Sequence, residues 1–182
     1  GKRAEDPRQP PFEGEPGVLF LPAGSYLLDG TFKVPSGVIL RGAGASQTRL
    51  RCDMGGVDHD CLVLTGGEVG SPVAVTAPVA AGATSVEVAG AAAFSVGDYI
   101  DLGQQNGAWD TIPTSYTVDV VGQIGRVVAL EGTTLTLAHP IRGPYDLALH
   151  PDVRRFVPVV HAGVEDLTIQ RIDDSGGGAS NI

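Results

Sequence analysis

The sequence predicts an all-β fold in which stacked coils are interrupted by an antiparallel β-barrel or sandwich module, and three observations predict it. Short apolar runs such as Val18–Leu21 stop at Pro or Gly and restart at once, too short for helices. Glycine accounts for 26 of 182 residues while aromatic residues make up only 5%, a balance that suits turn-rich β architecture. Between Val73 and Leu137 the segments lengthen and alternate apolar with polar residues, the period of strands with one buried face.

Taken in order, residues 1–16, "GKRAEDPRQPPFEGEP", are charged and proline-rich without an apolar period and read as an extended arm or linker. Residues 17–72 carry strand-like pieces at Val18–Leu21, Ser25–Leu28, Thr31–Val34, Val38–Leu40, Thr48–Arg51 and Cys61–Leu64. Pro-Ala-Gly, Asp-Gly, Pro-Ser-Gly, Gly-Ala-Gly and Gly-Gly separate them. Short strands with a bend after each predict coils wound about one axis, every strand pairing with its counterpart one coil away. An antiparallel sandwich accounts for the strand spacing alone equally well.

Residues 73–149 read as the inserted antiparallel module, with Glu131-Gly132 turning a hairpin between two alternating strands. In "GDYIDLG", Tyr99, Asp101 and Gly103 fall on the wet face opposite Ile100 and Leu102. Residues 150–182 return to coil-like spacing at "HAGVEDLTIQRID".

Charge narrows the function. A net charge of -9 with 12 Lys and Arg opposes sequence-independent nucleic-acid binding, which requires a basic surface. The same sign disfavours anionic membranes, and no apolar run is long enough to insert in one. The two cysteines, Cys52 and Cys61, flank Gly55-Gly56, where a hairpin reversal would let them meet in a disulfide. Inert buried thiols are the alternative; a catalytic thiol has no evident helix N-terminus or basic neighbour to activate it.

"LPAGSY" at Leu21–Tyr26, "GVILRGAG" at Gly37–Gly44 and "TRL" at Thr48–Leu50, with the later "GVEDLTIQ", resemble the opening coils of the pectate-lyase-like superfamily of right-handed parallel β-helix proteins. The resemblance implies a groove beside the stacked strands, in which acidic, basic and aromatic side chains bind or cleave polysaccharide. It also implies a capping helix before the first coil, which residues 1–16 do not supply, and a further coil where "DDSGGGASNI" stops. Open coil ends call for a second polypeptide or further copies.

Candidate chemistry falls in two loops. "NGAWDT" sets the only tryptophan, Trp109, beside Asp110; exposed, it would stack on a sugar ring, and buried, it would anchor the loop. "HPIRGPYDLALHPDVRR" gathers Arg142, Tyr145 and Asp146 with His150, Asp152, Arg154 and Arg155, either lining a groove for an acidic polysaccharide or forming a solvated connector. Asp173-Asp174 with Glu165-Asp166 raises calcium, yet lacks alternating ligand positions and reads as a polar turn. His59 and His161 have no partner at metal-ligand spacing, so no metal site is expected, nor any cofactor. "GAGAS" at Gly42–Ser46 is neither a dinucleotide fingerprint nor a nucleophile elbow.

Taken with the resemblance, these features lead to an expectation of a secreted or extracellular-surface protein acting on polysaccharide, a lyase or glycoside hydrolase whose catalytic residues lie outside this chain. The alternative is a non-catalytic β-helix component of a cell-surface, filament or phage-spike assembly.

Overall fold

The computed structural model describes residues 14–112, 114 and 119–173. The arm at 1–13 and the segment from Asp174 onward, including the acidic pair's second member, lie outside the described residues. The chain divides into two units, one holding the residues up to Thr65 and from Val159, the other Gly66–Pro158.

The first unit is built of parallel coils. Strands β1 (Gly17–Leu21), β2 (Gly24–Leu28) and β3 (Phe32–Lys33) form one coil, and β4 (Val38–Gly42), β5 (Thr48–Cys52) and β6 (Leu62–Val63) the next. β13 (Gly163–Glu165) and β14 (Thr168–Arg171) begin a third. Like sides stack in register: Leu19 on Leu40 on Val164 along β1-β4-β13, and Tyr26 on Leu50 on Ile169 along β2-β5-β14. β3 pairs with β6 in a third parallel sheet. This is the parallel β-helix arrangement, its sides left as separate sheets.

The family-like motifs have physical causes here. The Tyr26 hydroxyl donates to Pro22 O at 3.0 Å, folding the ring over Gly24 and pinning the corner of Leu-Pro-x-Gly-x-Tyr. Thr48 is fully buried; its Oγ1 accepts from Ala43 N at 2.9 Å and lies 3.2 and 3.1 Å from Leu21 O and Pro22 O, so one hydroxyl ties two coils together. Gly42 admits no side chain, because a Cβ would stand 2.2 Å from Asp166 O.

Cys52 and Cys61 are joined in a disulfide with Cα atoms 5.8 Å apart. The hairpin expected around them does not form: β5 pairs with β2 and β14, and β6 with β3. The bond instead staples the corner between two sheets of one coil, because parallel coils carry the chain onward where a hairpin would turn it back. Arg171 holds the same corner, reaching Val57 O, His59 O at 3.1 Å and the Asp173 carboxylate, which also accepts from Gly56 N. That guanidinium keeps the Asp173 carboxyl far below the usual range.

The second unit is antiparallel. β7 (Gly67–Ala74), β8 (Ser85–Glu87), β9 (Tyr99–Gln104), β10 (Val121–Glu131), β11 (Thr134–Leu137) and β12 (Asp152–Val157) form one sheet in the order β7-β12-β9-β10-β11-β8. The two edges meet at a bridge between Val75 and Val88. The sheet thus curls around one core that includes Val86, Ile100, Leu102, Val127, Leu135, Ile141 and Val153. Gly132, at φ 59°, makes the β10–β11 turn with a left-handed backbone that glycine adopts without strain. Where the sequence pattern placed the module at 73–149, this unit spans Gly66–Pro158, since β7 begins earlier and β12 pairs with both β7 and β9.

Candidate saccharide-binding cleft

The alternation that buries one face of the second unit's sheet leaves the other for polar chemistry. On β9, Ile100 and Leu102 are fully buried whereas Asp101 is partly exposed on the opposite face. Register sets Arg154 of β12 directly across from Asp101, and Asp152 across from Gly103. Asp101 and Asp152 are therefore diagonal neighbours on one face. Gly122 of β10, across from Gly103, is a diagonal neighbour of Asp101, and a Cβ there would come 3.4 Å from Oδ1.

Glu68 on β7 closes the group. Arg154 Nη1 lies 2.7 Å from Glu68 Oε2, and its Nε 3.8 Å from Asp152 Oδ1. One guanidinium thus serves two carboxylates. Burial first, then the charges of Glu68 and Asp152, push the Asp101 carboxyl above its ordinary range against the pull of Arg154, and a hydrogen bond to Glu68 retains the proton. Asp152 is raised as well, by burial, with Glu68 and Asp119 adding to it and Arg154 opposing.

These residues line an open cleft of about 620 Å³, with Asp119, Gln104, Gln123 and His150 also on its wall. The lining is acidic, with four carboxylates against Arg154 and a histidine. Such a surface accepts hydrogen bonds from hydroxyl or amino groups and repels carboxylated ligands. It is the wrong sign for the acidic-polysaccharide groove expected here from the sequence.

The residues singled out in the sequence occupy several environments. Trp109 is 61% exposed, not a loop anchor in the core, and its indole lies 3.1 Å from where a Gly107 Cβ would be. Asp110 fixes that loop: it accepts from Asn106 Nδ2 at 2.6 Å and from Ile112 N at 3.2 Å, while Asn106 Oδ1 accepts from Val120 N at 3.0 Å. The loop carrying Trp109 also supplies Gln105 to the cleft.

Arg142, Tyr145 and Asp146 stand behind the cleft wall. Arg142 N donates to Gln123 Oε1 at 2.8 Å, and Asp146 N to Gln104 Oε1 at 2.9 Å, so this run orients two lining glutamines. Asp146 also caps the short 3-10 turn Leu147–Leu149 through Ala148 N. Tyr145, expected at a binding surface, is only 3% exposed and donates to Leu102 O at 3.1 Å. Its ring belongs to the core because the backbone at Tyr145 pairs with Val79 in an antiparallel bridge, which holds the segment against the core cluster.

Glu68 and Asp119 are not distinguished by the sequence, and Asp101 stands out there only as a wet-face residue. Their signal is register: Glu68, Asp101 and Arg154 converge only once β12 is known to lie between β7 and β9. For calcium, Glu165 pairs with Arg41 and Asp173 with Arg171. Among the described residues no group of three or more His, Cys, Asp or Glu is arranged to hold a metal ion. No helix among them is long and apolar enough to cross a membrane.

No protein-family model matches the sequence, and no curated protein matches it either. Solved structures do resemble the fold. The Gp54 tailspike of Acinetobacter baumannii bacteriophage AP22, determined in complex with A. baumannii capsular saccharide, superposes over 88% of this chain with a TM-score of 0.62 and 11% identity. The tailspike gp49 of Pseudomonas phage LKA1 covers 87% with a TM-score of 0.58 and 20% identity. The tailspike gp61 of Pseudomonas phage phi297 covers 84% with a TM-score of 0.56 and 18% identity. At these identities the likeness establishes the fold, the right-handed β-helix of tailspikes. The chain spans about a quarter of each tailspike's length, 24 to 28%.

Proposed function

We propose that this chain is a glycan-recognition segment of a phage-tailspike-like protein at the virion surface, in which β-helix coils provide a stiff support and the antiparallel unit binds saccharide. The observation that carries this reading is the likeness to tailspikes over nearly the whole chain, one of them holding a capsular saccharide. The cleft suits a saccharide chemically, since its carboxylates and glutamine amides accept and donate hydrogen bonds to sugar hydroxyls, and the exposed Trp109 offers a face for a pyranose ring. Its charge favours neutral or amino-bearing sugars. The rest of the spike, contributed by further polypeptide or further copies, completes the coil stack.

A hydrolytic reading rests on one observation, the two carboxyls Asp101 and Asp152 that hold their protons above the ordinary range beside a cleft. A lyase reading has less support, since quenching a uronate charge needs a cation, and Arg154 is already shared between Glu68 and Asp152.

Calorimetric titration of the full chain with a panel of purified capsular polysaccharides tests the proposal. At least one neutral or amino-sugar polymer is expected to bind, with Trp109→Ala and Asp152→Asn each weakening it about tenfold, roughly the loss of a stacking or a charged hydrogen-bond contact. Binding unaffected by both variants, or none by the wild type, overturns it. Release of new reducing ends, abolished in Asp101→Asn, would move the reading to hydrolysis.

A further inference from the structure

The loop that carries Trp109 contains a chemically labile pair. Asn106 is one of two asparagines in the chain, with Asn181, and the only one followed by glycine. Both Asn106 and Gly107 are partly exposed, so water reaches them. The structure gives a reason for each. The Asn106 side chain ties two limbs of the loop together: Nδ2 donates to Asp110 Oδ2 at 2.6 Å, and Oδ1 accepts from Val120 N at 3.0 Å. That bridge needs a donor and an acceptor on one short side chain, which asparagine supplies and an ionised aspartate does not. A Cβ at Gly107 would stand 3.1 and 3.3 Å from the Trp109 ring, too close for any larger residue to sit there without moving the indole. What orders the loop therefore also leaves an Asn-Gly pair in it.

We infer that Asn106 is a site of spontaneous deamidation, a one-way modification that frees the Trp109 loop. With no side chain at Gly107, its peptide nitrogen has an unhindered approach to the Asn106 side-chain carbonyl. That nitrogen loses its proton to solvent base and bonds to Cγ, the Cγ–Nδ2 bond breaks, and the amide leaves as ammonia. Water then opens the cyclic imide to aspartate or isoaspartate, so the net change consumes one water and releases one ammonia. The fold assists the first step, because Val120 N already donates to Oδ1, the oxygen on which negative charge gathers as Cγ becomes tetrahedral. The product loses the bridge. Where Nδ2 donated to Asp110, a carboxylate oxygen faces a carboxylate, and the two repel. Asp110 also accepts from Ile112 N at 3.2 Å, so its displacement loosens the loop on both sides of Trp109. Gln105 and Val120, at the two ends of the bridge, line the cleft, whose wall changes with them. Any effect on saccharide rests on the cleft reading; the modification itself does not.

The test ages the full chain at mildly alkaline pH, folded and, in parallel, unfolded in guanidinium chloride, with peptide mapping by mass spectrometry. Aspartate and isoaspartate are expected at position 106 and not at 181, the folded chain converting within about tenfold of the unfolded rate. Conversion confined to the unfolded chain would overturn the inference, since the two hydrogen bonds would then protect the amide. Release of the loop is read from the emission of Trp109, the only tryptophan. N106D, the product made directly, is expected to lower its anisotropy and raise its quenching by acrylamide, as is the aged wild type. N106D/D110N restores one donor and one acceptor in exchanged places, keeps an acceptor for Ile112 N, and should return both readings to wild-type values. Melting temperatures report that each variant is folded. An N106D loop indistinguishable from wild type, or no recovery in N106D/D110N, would overturn the release. No readout uses a saccharide, so this inference and the cleft proposal fail separately.

Discussion

The two units solve the burial problem in opposite ways. In the antiparallel unit a curled sheet meets itself at Val75 and Val88 and surrounds a core in which Ile100, Leu102 and Val127 are wholly inaccessible. In the coil unit burial is graded by layer: Leu50 of the middle coil is 2% exposed, whereas Leu19 of the first coil is 46% exposed. Parallel coils bury a layer only between two others, so a coil's stability depends on its neighbours. The antiparallel unit brings its own. The comparison teaches that the coils are tied to one another by specific links, the disulfide, the Thr48 hydroxyl and the Arg171–Asp173 pair, where the antiparallel unit relies on its shared core.

Substitutions break this comparison in a definite order. Leu102→Ala should cost about 3 to 4 kcal/mol in denaturant unfolding of the antiparallel unit, and Leu50→Ala about 2 to 4 in the coils. Leu19→Ala, one layer above Leu50's coil and half-exposed, should cost under about 1 kcal/mol. Equal losses for Leu19 and Leu50 would contradict graded burial. Removing the disulfide with C52S/C61S should destabilise the coil unit by about 2.5 kcal/mol, the closure entropy of so short a loop, while hydrogen exchange in Gly66–Pro158 stays unchanged.

Thr48→Val comes next. It keeps the shape but removes the acceptor of Ala43 N and the donor facing Leu21 O, while Pro22 O keeps the Tyr26 hydroxyl, for about 1 to 3 kcal/mol, again confined to the coils. Loss of exchange protection at Ala43 is the specific sign of it.

The smallest effect has the opposite sign and belongs to the antiparallel unit. The Asp101 and Asp152 carboxyls are raised in the fold, so ionising them opposes folding. Stability of this unit should rise as pH falls from neutral through their folded values toward the unfolded carboxylate range, then level off below it. Asp101→Asn should remove part of that slope and stabilise the unit at pH 7 by a few tenths of a kcal/mol, the scale of a partly solvated charge. Thermal melts from pH 4 to 8 check both.

How much of this is legible in the sequence follows from the range of each cause. The coil strands are readable because their breaks are local: Pro22, Gly42 and Gly44 interrupt the apolar runs directly in the sequence. The wet face of β9 is readable from alternation around Asp101. The cleft is not, because Glu68 and Asp101 meet Arg154 only through pairing across strands far apart in sequence. Tyr145 shows the converse difficulty: a polar-looking, proline-broken segment gives no local sign that its ring will be drawn into a core. The disulfide's partners are readable by count, but the corner it staples is not, since a Gly-Gly pair marks a turn without saying whether the chain comes back.

Trp109 is the only tryptophan and stands exposed in the unit proposed to bind saccharide, so its fluorescence reports that unit alone. Titrating the intact chain with a binding capsular oligosaccharide while recording its emission tests the central claim most directly. The account predicts a saturable blue shift or quench, shifted about tenfold to higher ligand in Asp152→Asn. Saturable binding by calorimetry with an unchanged Trp109 emission and no effect of Asp152→Asn would place glycan recognition away from the cleft and contradict it.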